Sequence, residues 1–368
     1  MKNTFGESVC VTLFGESHGN AIGAILDGMA PGIRVDANFI AHQMQLRRSV
    51  SSLSTARKEI DEVEILSGIR DGITTGTPIA FMIRNQDTHS KDYEALETVA
   101  RPGHADYTAY CKYHGFSDTR GGGHFSGRIT AGLVAAGAVA ITALSEIGIH
   151  IGTHIAKCAG ICDRNFEDYQ KDITALSEMP FAVLDTNKAE KMRAEIESAK
   201  ADGDSVGGIL ETVVIGLPAG VGEPWFDTLE SVLAHGMFSV PAVKGVEFGK
   251  GFAFSDMRGS EANDAYASNG EAVFTTTNHN GGILGGISNG MPILFRTAIK
   301  PTPSIYKKQN TVDFVKKENT ELVIHGRHDP AIVHRARVVV DSMTALILCD
   351  MLALRYGTDF LKNGGNTK

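Results

Sequence analysis

The chain has 368 residues, a net charge of −8 and 42% hydrophobic side chains. The acidic balance excludes a global nucleic-acid footprint, so an anionic ligand has to be met by a local cluster of arginine and lysine. No linker, Pro/Ser-rich stretch or long charge block interrupts the chain, which predicts one domain over 1–368 with a frayed tail from about 360. Ala21 to Leu26 reads as a strand ending at the hairpin-type dipeptide Asp27-Gly28. Asp36 to Arg48 predicts a helix with Asp36 as N-cap. Val63 to Ile69, Asp71-Gly72 and Ile79 to Ile83 predict a strand pair. Ile129 to Ile147 is apolar enough to imitate a membrane span, but Arg128 abuts it and no aromatic belt flanks it. A buried core helix at about 128–147 is the better reading. Asn187 to Lys200 predicts a surface helix, Gly207 to Ile215 a strand, Leu229 to His235 a short helix and Ser342 to Leu354 a final apolar helix.

Strands outnumber helices and hairpin connections dominate. No G-x-G-x-x-G follows a strand, which excludes a doubly wound dinucleotide fold. An α+β fold of antiparallel sheets around central helices is expected. Gly19 to Met29 faintly echoes Gly281 to Met291, as a duplicated half or two similar hairpins would. The cysteines are Cys10, Cys111, Cys158, Cys162 and Cys349. Cys158 and Cys162 have no second pair, so no metal site is expected and reduced thiols are. With no basic-then-apolar leader, the expected location is cytoplasmic.

Three polar runs stand out. Gly15-Glu16-Ser17-His18-Gly19 and Arg101-Pro102-Gly103-His104-Ala105-Asp106 each place an imidazole on backbone that can approach a ligand closely. Gly326-Arg327-His328-Asp329-Pro330 adds a guanidinium and a carboxylate. Proton carriers beside arginines suit acid/base chemistry on an anionic substrate. Arg120-Gly121-Gly122-Gly123-His124-Phe125-Ser126-Gly127-Arg128 opens the apolar helix, where glycine N–H groups, a helix N-terminus and flanking arginines suit an anion. Lys300-Pro301-Thr302-Pro303-Ser304 presents donors on a proline-fixed exit from the strand Ile293 to Ile299. Each run, alone, is also compatible with a solvated tight turn.

Together these runs resemble the signatures of the chorismate synthase family. Gly281-Gly282-Ile283-Leu284-Gly285-Gly286-Ile287-Ser288 matches as well, and the motifs follow the family's order over about residues 5–355. The resemblance implies a sandwich of sheets around helices, assembled as a homotetramer. It implies a 1,4-elimination of phosphate from 5-enolpyruvylshikimate 3-phosphate to give chorismate, without net redox change but requiring reduced FMN. His18 would protonate the departing phosphate, His104 would act near flavin N1, and Asp329 would assist N5 in removing the ring proton. Ser17, Arg48, Arg101, Arg128 and Arg327 would hold the substrate. Arg47, His124, Phe125, Ser126, Ala242, Gly285, Lys300, Pro301, Thr302, Pro303, Ser304 and Arg327 fall at the family's cofactor positions, with NADPH as a candidate reductant. Two departures touch the substrate loop and any NADPH contact. Arg47-Arg48 is followed by Ser49-Val50 rather than Pro-Gly, with the next arginine at Arg57, and His124-Phe125 stands where Arg-Ser is usual. The alternatives are an NADPH-using flavin reductase, marked by NADPH oxidation without chorismate, and an FMN- or phosphate-binding module lacking a proton carrier.

Overall fold

A computed structural model describes residues 2–48, 61–85, 98–324 and 329–365. Strands β1 (Thr4–Phe5), β2 (Cys10–Gly15) and β3 (Ala21–Asp27) precede helix α1 (Ala37–Arg47). Strand β4 (Glu64–Ser67), the hairpin β5–β6 (Ile69–Arg70, Ile73–Thr74) and β7 (Ile79–Arg84) follow. Next come α2 (Asp106–Tyr113), α3 (Thr130–Glu146), β8 (His150–Cys158), β9 (Ile161–Cys162), α4 (Tyr169–Ser177) and α5 (Thr186–Ala201). The chain continues through β10 (Gly208–Ile215), α6 (Leu229–Ser239), β11 (Val243–Phe248) and α7 (Gly259–Ala262). Hairpins β12–β13 (Tyr266–Ser268, Val273–Thr275) and β14–β15 (Ile283–Leu284, Ile287–Ser288) lead to β16 (Ile293–Ile299). The hairpin β17–β18 (Gln309–Asp313, Glu318–Leu322), α8 (Val333–Tyr356) and α9 (Phe360–Asn363) complete it.

Two five-stranded antiparallel sheets, ordered β1-β2-β3-β7-β4 and β11-β16-β10-β8-β9, enclose the helices. Helix α3 packs on β3 and β7, α8 packs on β8 and β10, and the two helices pack on each other. The α+β sandwich is therefore the observed class. Strand β16 alternates strictly, with Ile293, Phe295, Thr297 and Ile299 inward, as the two-residue period of a strand requires.

The Ala/Gly richness of α3 has a packing cause. A Cβ on Gly132 would lie 2.7 Å from the Gly23 backbone, and one on Gly137 would lie 2.2 Å from Ser342 Cβ. Small residues thus let α3 press onto β3 on one side and α8 on the other. Its buried apolar surface faces protein, as a helix apolar all round does in a large core.

Helix α1 is capped as expected, with Asp36 accepting from Asn38 N at 2.8 Å. Asp71-Gly72 joins β5 to β6, both residues at positive φ (53° and 75°), the conformation of a tight primed turn. The larger strand pair is β4 with β7, which that hairpin interrupts. Four expectations need correction. Asp27-Gly28 is not a hairpin turn: Gly28 passes under Ser8, and the chain leaves the sheet for α1. The final helix begins nine residues earlier than Ser342, at Val333, because His334, Arg337 and Asp341 are buried polar residues that an apolar pattern passes over. The tail is ordered through α9, where Leu361 is buried and Phe360 stacks on Tyr356 at 4.5 Å; residues 366–368 lie outside the described residues. The internal echo dissolves, since β3 is a central strand and β14–β15 a two-residue hairpin.

Candidate active site

The Ser17–His18 turn and the triple-glycine loop interlock. Ser17 N donates to Gly123 O at 3.1 Å. His124 Nδ1 lies 2.8 Å from Gly15 O, so it donates that hydrogen bond and carries the ring proton. A Cβ on Gly121 would lie 2.4 Å from His18 Cε1, and Gly121 sits at φ +58°, so glycine there serves both the conformation and the approach. The 120–125 segment is a 3₁₀ turn rather than an extension of α3, and Ser126 caps the short turn 127–129 by accepting from Arg128 N. Asn85 joins the two halves: its Nδ2 donates to Glu16 O and Gly19 O, and its Oδ1 accepts from Arg128 Nε at 3.1 Å.

The His104 turn docks elsewhere, on the 300–304 turn. Lys300 Nζ donates to Gly103 O at 2.6 Å, and His104 Nε2 lies 2.7 Å from Ser304 Oγ. Arg101 clamps Asp106 through Nη2–Oδ1 at 2.7 Å and Nε–Oδ2 at 2.9 Å. Burial works to raise the Asp106 carboxyl, but hydrogen bonds and charge from Arg101 outweigh it and hold it below the usual range. Burial, then the neighbouring Lys244, lower the Lys300 ammonium.

Both turns open onto one cavity of about 1030 Å³ between α3, α8 and β11. His18, His104 and Asp329 line it, from three distant stretches of chain. So do Ser17, Arg48, Arg101, Arg128 and Arg47, together with His124, Phe125, Ser126, Ala242, Lys300, Thr302 and Pro303. The structure does not bring in Gly285, which is exposed in the β14–β15 turn, nor exposed Pro301. Ser304 is buried behind His104 rather than on the wall. Arg57, Arg327 and His328 lie outside the described residues.

Among the described residues, eight lysines and arginines face four aspartates on this wall, in a chain of net charge −8. The surplus of positive charge is local, as an anion site in an acidic protein requires. Leu133, Val243, Ile332, Val339 and Met343 supply an apolar floor that strengthens those charges by excluding water.

Asp61, Arg335 and His235 are wall residues that lie outside every motif. Asp61 is buried between Arg47, whose Nη2 donates at 2.7 Å, and Arg128, whose Nη1 donates to the other oxygen. Burial acts to raise its carboxyl, yet the two guanidiniums together pull it down. Burial lowers Arg47 to about 10, against the attraction of Asp61, which still leaves it charged at neutral pH. Arg335 bonds Asp329 and donates from Nε to Arg47 O at 3.0 Å. His235 stands across the cavity, edge-on to Phe5 at 5.2 Å. Arg335 lies six residues from Asp329, and Asp61 fourteen from Arg47, spacings that advertise nothing until the chain is folded.

A family model described as chorismate synthase matches residues 9–353. Chorismate synthases of Pyrococcus abyssi and Thermococcus gammatolerans are 47% and 45% identical, each covering 95% of this chain and 97% of their own. That of Dehalococcoides mccartyi is 46% identical over 97% of this chain and 98% of its own. A solved structure, a crystal structure of chorismate synthase, superposes with a TM-score of 0.76 at 29% identity, covering 96% of this chain and 94% of that one. The chain belongs to the chorismate synthase family, the lyases that form chorismate in the shikimate pathway.

Proposed function

We propose that the 1030 Å³ cavity performs the 1,4-elimination of phosphate from 5-enolpyruvylshikimate 3-phosphate with reduced FMN bound beside the substrate. The observation that carries this is convergence: two histidines and an aspartate from separate turns share one cationic, water-excluding wall. A ring C–H and a C–O bond break, a double bond forms, and proton and phosphate leave, so electrons balance without an oxidant. Arg48, Arg101 and Arg128 hold the phosphate and carboxylates, and Ser17 adds a hydroxyl; Arg327 is assigned to the same task by the family motif alone. His18 delivers a proton to the departing phosphate oxygen. His104 keeps a proton at the cofactor, and Asp329, held by Arg335, receives the ring proton.

The residues present fit FMN. Thr302 Oγ1 is buried without a hydrogen-bond partner among the described residues, on a wall that also offers Lys300, Ser126 and the Ala242 backbone at positive φ. Arg47, His124, Phe125 and Pro303 complete that wall. The cavity reaches the upper end of the usual range of about 300–1,000 Å³ for ligand sites, room for a flavin beside a small substrate. Reduced FMN, when bound, supplies the transient electron donation that eases phosphate departure. The exposed Trp225, Phe226 and Phe252 support a further copy of the chain as partner, consistent with the family's homotetramer. One continuous core supports a single domain, and free cysteines support a cytoplasmic setting. NADPH is the proposed cellular reductant. Anaerobic turnover with chemically reduced FMN, compared with NADPH alone, tests the reading. Chorismate and phosphate released in equal amounts are expected; NADPH oxidation without chorismate would favour a flavin reductase.

A further inference from the structure

The turn that carries Ser304 is held from three sides. Lys300 N donates to Ala242 O at 3.0 Å, Ser205 Oγ donates to Thr302 O at 2.6 Å, and Tyr306 N donates to Gly203 O at 3.0 Å. Pro301 and Pro303 restrict the backbone between these ties. The His104 turn rests on this platform through the Lys300–Gly103 bond, and a Cβ on Gly103 would come within 2.9 Å of Pro303. Ser304 is 7% exposed and does not line the cavity, whereas His104 does. Its Oγ reaches His104 Nε2 at 2.7 Å across 200 residues of sequence.

We propose that Ser304 is a positioning residue for His104, setting the ring's orientation through Nε2, rather than a contact to the flavin. The proposal rests on the reading of His104 as a proton carrier. A hydroxyl can both donate and accept, so Ser304 can bond Nε2 whether the ring is neutral or protonated. An imidazole needs such a partner because the hydrogen bond at one nitrogen decides what the other nitrogen does. The anchored turn supplies the rigidity that holding a reactive ring requires.

The test uses the full-length protein as wild type, Ser304→Ala, Ser304→Cys, His104→Ala and the double alanine variant. Turnover is measured anaerobically with chemically reduced FMN, binding by the fluorescence quenching of oxidised FMN, and the ring nitrogens of His104 by NMR of ¹⁵N-histidine-labelled enzyme. Loss of one hydrogen bond should lower kcat about tenfold in Ser304→Ala while FMN affinity stays within about twofold. The His104 Nε2 resonance should shift, and removing Ser304 on top of His104→Ala should add no further loss. Ser304→Cys keeps the shape and weakens the bond, so it should fall between wild type and alanine and carries the test if alanine does not fold. A parallel fall in FMN affinity, losses that multiply in the double variant, or an unmoved Nε2 resonance would each overturn the proposal. If wild type forms no chorismate, the functional reading fails by itself, and the ¹⁵N signature still decides the Ser304–His104 link.

Discussion

Two buried arginine–aspartate clusters, one on the cavity wall and one within α8, push their carboxyls in opposite directions. At the wall, Asp61 is lowered although burial opposes it, because Arg47 and Arg128 both donate to it. In α8, Asp341 is raised: burial dominates, and the single Arg337 guanidinium at 3.3 Å does not offset it. Asp61 meets two guanidiniums, whereas Asp341 meets one and is set deeper in the protein, so opposing charge and burial together decide the sign. Among the described residues, two guanidiniums face one carboxylate in the wall cluster, on a cavity suited to an anionic ligand. The α8 cluster is one-to-one and belongs to the packing between α8 and Met179, where Arg337 Nη2 donates to a carbonyl.

This contrast can be broken from the α8 side first. Asp341→Ala leaves a buried guanidinium uncompensated and should cost about 3–5 kcal/mol of stability with kcat unchanged. Arg337→Met combined with Asp341→Leu should instead be neutral or about 1–4 kcal/mol more stable. Chemical denaturation beside steady-state kinetics reads both, and a kinetic defect in the double variant would place this cluster in the active site after all.

From the wall side, Arg128→Ala should lower kcat/KM by about 2–5 kcal/mol, since a desolvated guanidinium facing a ligand charge is lost. An effect confined to stability would make the wall cluster as structural as the one in α8.

A third buried group sharpens the comparison through pH. His334 is lowered to about 4, first by burial and then by Arg335, so the fold favours its neutral form. A histidine with a depressed folded value contributes stability that is complete above its unfolded value near 6.5. That contribution is lost as pH falls towards 4, about 3 kcal/mol in all. His334→Leu should flatten stability between pH 6.5 and 4. Asp61, lowered in the fold, acts in the same direction, but only as pH falls below its unfolded value of 3.8. Asp341, raised in the fold, acts in the opposite sense, losing its contribution as pH rises above 3.8. A denaturation series across these windows separates the three, and an unchanged slope in His334→Leu would reassign the acid limb to carboxylates.

The smallest expected effect is at a helix end remote from either cluster. Asp36→Ala removes the N-cap of α1 and should cost about 1 kcal/mol with kinetics intact. A larger loss, or any change in KM, would mean that α1 carries Arg47 into the wall less rigidly than its packing against α3 indicates.

Much of the site was legible because its histidines and glycines sit together in short runs. Ser17-His18, Gly121-Gly122, His124 to Ser126 and Gly103-His104 all reach the cavity. The reason is local: glycine at positive φ and polar residues without apolar periodicity mark backbone that serves a ligand. Asp61, Arg335 and His235 were silent because each acts through a partner brought near only by folding. Gly285 shows the converse, a motif glycine that this chain's own fold leaves away from the cavity.

The sequence by itself determined the α+β class, the cap of α1, the strand Ile293 to Ile299, the central apolar helix and the motif histidines. Each is written in a local period or a contiguous run. Only the tertiary structure decided which charges meet. It placed Asp61 between two arginines, Arg335 on Asp329 and Ser304 behind His104. Electrostatic pairing depends on distance through space and on burial, and neither quantity has a signature along the chain.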